Sequence, residues 1–158
     1  MARLGTQLLA TLLLGPALAA ALLVVPAPAQ AATPAQEYAR AAFSTTNKVR
    51  AERDRGKLKN DACLRKAAAR QAKLMAGQTT IFHQAIEALL DGCTLEMVGE
   101  NVAYGYATGK AVVRKGWMKS PGHRANILRK GYTRMGIAAR KSQDGTWYVA
   151  QVFGRPVG

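Results

Sequence analysis

The apolar positions of this chain change rhythm several times. From Leu8 to Val25 they run almost unbroken, dominated by Leu and Ala. Further on they recur at helical spacing. Tyr38, Ala42, Phe43 and Val49 share one face of a helix that Thr33 caps and Pro34 opens. The spacing predicts this helix to about Arg55, with Gly56 as its stop. Asp61 is a good N-cap for a second helix, whose inner face is Leu64, Ala67, Ala68, Ala72 and Met75, ending at Gly77. A shorter helix over about 82–90 carries His83, Ile86, Leu89 and Leu90, and Asp91-Gly92 ends it. Residues 93–109 are rich in Gly and aromatics and read as a loop holding at most a short strand. A helix over about 110–119 presents Ala111, Val113 and Trp117. Pro121-Gly122 interrupts the chain before a short helix over 123–129.

The rhythm then becomes two-fold. Met135, Ile137 and Ala139 alternate with more polar residues, and Asp144-Gly145 is a hairpin signal. Trp147, Val149, Gln151 and Phe153 fall on one face of the returning strand, with Tyr148, Ala150 and Val152 on the other. Both faces are largely apolar, which predicts an interior strand covered by helices on both sides. The sum is an α+β domain with an antiparallel sheet and no internal repeat.

The first stretch is of a different kind. Arg3 is the only charge before Glu37, and Ala27-Pro28-Ala29 and Ala29-Gln30-Ala31 follow the apolar run. A positive start, an apolar middle and a small-residue end are the marks of a secretory signal peptide; a retained anchor is the alternative. The organisation expected is a leader over 1–31, a short N-terminal segment over 32–40 that begins the first helix, and one domain over 41–158. Such a protein is secreted, with possible attachment to the envelope. Cys63 and Cys93, an even count in an oxidising compartment, then predict one disulfide, with two free thiols as the alternative.

Charge adds a hint about partners. The formal net charge is +14, which favours anionic polymers and surfaces. Export makes nucleic acid the least suitable of these and leaves the cell envelope or a membrane surface. The segment from Leu74 to Gly109 lacks Lys and Arg and carries Glu87, Asp91, Glu96 and Glu100. An acidic stretch between two basic ones suits a cation. Nothing in the sequence calls for an oligomer, so a monomer is expected.

Several motifs occur in a fixed order: Asn47-Lys-Val-Arg50, the alanine ladder from Leu64 to Met75, His83, Gly99-Glu100-Asn101, then Trp117-Met-Lys-Ser120-Pro121-Gly122-His123-Arg124-Ala-Asn126-Ile127-Leu128, and Trp147-Tyr148-Val-Ala-Gln151-Val-Phe153-Gly154. This order resembles the bacterial branch of the CAP superfamily (cysteine-rich secretory, antigen 5 and pathogenesis-related-1 proteins). The resemblance implies an α-β-α sandwich with a central cleft, lined in many members by two His and two Glu. His83, Glu100 and His123 match three of the four. The fourth place is Ser120, so the set is incomplete here.

Two imidazoles and a carboxylate can hold a divalent metal, zinc above all, with an open coordination position. Asn101, Ser120 and Gln151 are expected near the same cleft. The leading expectation is an exported binding module whose polar cleft takes a metal, a lipid or another small ligand. Metal-dependent hydrolysis is the alternative, in which His83, Glu100 and His123 become catalytic. It lacks a His-Glu-x-x-His helix and a Gly-x-Ser-x-Gly elbow. A membrane-active or antibacterial role is the third reading.

Overall fold

The computed structural model describes residues 31–158; the leader expected over 1–31 lies, but for its last residue, outside them. Helix α1 spans Pro34–Ala51, β1 Lys59–Asn60, α2 Ala62–Gln78 and α3 Ala88–Gly92. Strand β2 is Leu95–Tyr104. Helix α4 begins at Gly109–Ala111 and continues as a π-turn over Val112–Gly116 and a 3₁₀ turn over Trp117–Lys119. Helix α5 is Pro121–Leu128, and strands β3 (Arg134–Lys141) and β4 (Trp147–Pro156) close the chain. The strands form one sheet in the order β1-β3-β4-β2.

The chemistry of the ends explains where several elements start. Thr33 and Gln36 form a reciprocal capping box at α1, and Asp61 accepts the Leu64 amide at α2. Tyr38 is already buried in the core. The described residues form one compact unit from Ala31 to Gly158. Strand β4 lies between β3 and β2, and its two faces go to two cores, as the sequence predicts. Val149 and Phe153 pack with Tyr38, Val49, Trp117 and Ile127 from α1, α4 and α5. Tyr148, Ala150 and Val152 pack with Leu64, Ala68 and Met75 of α2. This is an α-β-α sandwich. At Gly136 of β3 a Cβ would come within 2.1 Å of the Arg65 amide nitrogen, so α2 lies directly on the sheet backbone.

Several expectations need correction. The sheet is mixed, because two-residue β1 pairs parallel with β3. Helix α1 ends at Ala51, four residues short of Arg55. Gly77 does not stop α2; the helix runs on to Gln78, and Thr79 turns it off in the left-handed region at φ 48°. The largest miss is the loop expected over 93–109, most of which is the ten-residue strand β2. Its Gly, Glu and Asn are poor strand formers, and tertiary contacts override them. The carbonyls of Val98, Glu100 and Val102 point to the same edge. They accept, in turn, the Tyr132 hydroxyl (3.0 Å), the Asn126 amide (3.0 Å) and the Trp117 indole N–H (3.2 Å). Side chains thus replace a missing neighbouring strand and close that edge of the sheet. Gly99 makes room for one of them: a Cβ there would stand 2.1 Å from the Tyr132 hydroxyl oxygen.

Cys63, in the first turn of α2, is bonded to Cys93, just after α3, with Cα atoms 5.8 Å apart. Among the described residues no helix is long and apolar enough to cross a membrane.

Candidate functional site

Glu100 stands on β2 with its side chain 1% exposed, and a buried carboxylate must be neutralised by hydrogen bonds or partners. It has three. The Nδ1 of His83 lies 2.8 Å from Oε1, the Gln84 amide donates to the same oxygen (3.3 Å), and the Gln84 side chain donates to Oε2. An ionised carboxylate only accepts, so His83 carries a proton on Nδ1 and, when neutral, presents the lone pair of Nε2 outward. The imidazole itself is 58% exposed.

These contacts also explain why His83 is not on a helix. Residues 82 and 83 sit in an irregular stretch, and α3 starts only at Ala88. The buried Gln71 side chain of α2 donates to the Phe82 carbonyl, while Glu100 takes the Gln84 amide. A short helix is marginal by itself, and these bonds draw its first residues away.

His123 lies in the first turn of α5. Its carbonyl accepts from the Asn101 side chain (3.1 Å), which also donates to Gln151 (3.0 Å). Asn126, three residues on, donates to the Glu100 carbonyl and to Asn101 Oδ1, both at 3.0 Å. Helix α5 is thereby clipped onto β2 beside Glu100. The far end of α5 is held by Arg50, 1% exposed, which donates to the Ile127 and Arg129 carbonyls at 2.7 and 3.0 Å and to Gly56 at 2.7 Å. A cation at a helix C-terminus is favourable. Burial, and then the charge of Arg55, lowers the Arg50 pKa. Asn47, one turn earlier, pairs with both backbone groups of Leu58. The Asn47/Arg50 motif is therefore a double brace, Arg50 holding α5 and Asn47 the connection from α1 to β1.

The His123 pKa is lowered, first by burial and then by the charge of His83. The second cause ties the two imidazoles to one electrostatic neighbourhood. At neutral pH His123 is therefore uncharged.

Asn101 and Gln151 were expected as cleft residues. Both are 0% exposed. Gln151 bridges Asn101 to the Thr46 hydroxyl (2.9 Å), so the pair forms a buried strut linking β2, β4 and α1. Ser120 precedes α5, is partly exposed, and makes no capping bond with its hydroxyl. Gln84, absent from the sequence-based set, contributes two of the three bonds to Glu100. Its only sequence signal is its place next to His83.

A metal ion is implied by the resemblance. The three bonds to Glu100 occupy both of its oxygens, leaving the two imidazoles as the accessible donors. Among the described residues no group of three His, Cys, Asp or Glu is arranged to hold an ion. The donor set thus does not fit a closed three-residue site.

A sandwich of this topology, with His83, Glu100 and His123 on the α2–α3 connection, β2 and α5, defines a class of protein. The chain matches the Cysteine-rich secretory protein family, CAP, over residues 43–153, and it belongs to that family. It is 29% identical over 132 residues to the uncharacterized protein YkwD of Bacillus subtilis; the match covers 79% of this chain and 50% of YkwD. The chain thus spans half the length of that relative. Among solved structures, an outer surface protein of Borrelia burgdorferi superposes with a TM-score of 0.68 at 20% identity, covering 75% of this chain and 92% of that one. An extracellular protein of Bacillus anthracis containing an SCP domain gives 0.66 at 24% identity, over 80% of this chain and 45% of its own. NaASP2, solved with Zn2+, gives 0.58 at 14% identity, over 77% and 81%. These likenesses show the fold.

Proposed function

We propose that this CAP-family chain is an exported binding module whose polar cleft takes a divalent metal or small ligand between His83 and His123. The observation that supports the reading is the buried Glu100 carboxylate, bonded to His83 Nδ1 at 2.8 Å. A carboxylate on one ring nitrogen fixes the tautomer and raises the basicity of the other, which is how histidine ligands are prepared for metals. The depressed pKa of His123 keeps the second imidazole free of a proton at neutral pH. The Zn2+ in the NaASP2 structure supports zinc as the first ion to try. Export is supported by the leader-like N-terminus, the Cys63–Cys93 disulfide and the extracellular B. anthracis neighbour.

With two nitrogen donors, a bound ion keeps open positions for a ligand's oxygen or nitrogen atoms. Hydrolysis is the weaker reading, because Glu100 is enclosed by His83 and Gln84 and is not free to act as a general base.

Zinc titration by calorimetry tests the reading. One site is expected in the native protein, lost in His83→Ala and in His123→Ala. In Glu100→Gln the site is expected to weaken by roughly ten- to a hundredfold, as for other residues that orient a ligand. Zinc binding that survives both histidine substitutions would refute it.

A further inference from the structure

Two concave grooves lie where α1 and α5 come to an end. The first, about 560 Å³, has a floor of Val49, Met118 and Leu128 and a rim of Arg53, Arg114, Lys119 and Arg124. The second, about 370 Å³, carries Lys57, Lys59, Lys130 and Arg134. Between them lies the junction where Arg50 and Arg55 bind the carbonyls of Ile127, Leu128 and Arg129. Of the eight rim cations, only Arg53 and Arg114 have a carboxylate within ion-pair distance among the described residues, and they share Glu52. Six further charges face solvent around two adjoining hollows without a counter-charge. Clustered like charges repel one another and raise the local concentration of anions.

We propose that the two grooves form one continuous track for an extended, non-nucleic phosphodiester polymer, of the poly(alditol phosphate) kind. Three observations select this partner. Each groove is concave, which suits a thin flexible chain better than the plane of a bilayer. Of the exposed large apolar residues, Leu74, Ile81 and Tyr104 line neither groove, and Val157, next to Pro156 of the second groove, is too little apolar surface to anchor these cations in a membrane. The only aromatic in either groove is Tyr132, 2% exposed, which gives nucleic-acid bases no ring to stack on. The inference is independent of the cleft reading, because neither His83 nor His123 lines the track.

The test is binding of poly(glycerol phosphate), with phosphatidylglycerol vesicles and single-stranded DNA as comparison arms. The variant Lys57→Glu/Lys130→Glu alters one groove and Lys119→Glu/Arg124→Glu the other. Lys66→Glu/Lys73→Glu makes the same charge change on exposed positions of α2. Folding of each is checked by its thermal melting. Salt-sensitive polymer binding is expected, weakened at least tenfold by either groove variant and less than threefold by the α2 variant. Equal weakening by all three variants would overturn the track in favour of diffuse charge. Binding to vesicles or DNA as tight as to the polymer, with the same groove dependence, would overturn the assignment of partner. Zinc titration of the Lys57→Glu/Lys130→Glu protein, expected to be unchanged, separates this result from failure of the cleft reading.

Discussion

His83 stands on the irregular stretch between α2 and α3, and His123 in the first turn of a helix fixed at both ends. The His83 side is an excursion from α2, closed at its base by the Cys63–Cys93 disulfide and held along its length by Gln71 and Glu100. The His123 side is a short rod, clipped to β2 by Asn101 and Asn126 and gripped at its other end by Arg50. One imidazole is exposed and oriented by a single buried carboxylate; the other is partly buried and stands on a helix whose backbone is clipped to β2. The difference teaches that the protein has a fixed wall, braced at both ends of a helix, and a second wall tied by a disulfide and long-range side-chain bonds.

Three perturbations sharpen this comparison. The largest effect is expected on the wall that carries His83. Replacing both cysteines by serine opens a loop of sequence separation 30 and is expected to cost about 3–4 kcal/mol in the chain-entropy account. Urea unfolding measures it, and a loss below about 1 kcal/mol would mean that Gln71 and Glu100 already hold the excursion. On the fixed wall, Arg50→Ala leaves the carbonyls of Gly56, Ile127 and Arg129 without their charged donor. A loss of about 3 kcal/mol is expected. Conservation of full stability in that variant would show that α5 does not depend on its C-terminal brace.

The smallest effect concerns pH. The folded-state pKa of His123 lies below its unfolded value near 6.5, so the unfolded chain binds this proton more readily. Its contribution to stability is complete above the unfolded pKa and falls as pH drops through about 6.5 toward the folded pKa. Between about pH 7.5 and 5.5 the native protein is expected to lose more stability than His123→Gln. Parallel curves would contradict the burial of this imidazole.

How far the sequence reveals these walls depends on where their causes lie. Asp61, Thr33 and Asp144-Gly145 act on their own neighbours along the chain, and the starts of α2 and α1 and the β3–β4 turn are readable from them. The alternating faces of β4 are readable too, because both are apolar and each meets its own helix layer. Strand β2 is not. Its stability comes from Tyr132, Asn126 and Trp117 bonding to its open edge from distant parts of the chain. The irregular support of His83 is hidden for the same reason, since its backbone partners come from α2 and β2. Within the site, His83, Glu100 and His123 are found by their motifs. The functions of Asn101 and Gln151 as buried struts, and of Gln84 as a second hold on Glu100, emerge only when β2, β4 and the α2–α3 connection are folded together.

The central claim is that the two histidines share one electrostatic neighbourhood in a common cleft. Nuclear magnetic resonance titration of the His123 ring in the native protein and in His83→Gln tests it without any ligand. The chain has only two histidines, so the remaining ring signal in the variant is unambiguous. Removing the His83 charge is expected to raise the His123 pKa toward its ordinary value, with burial accounting for what depression remains. A His123 titration unmoved by the substitution would place the two imidazoles too far apart for a shared cleft and contradict the account.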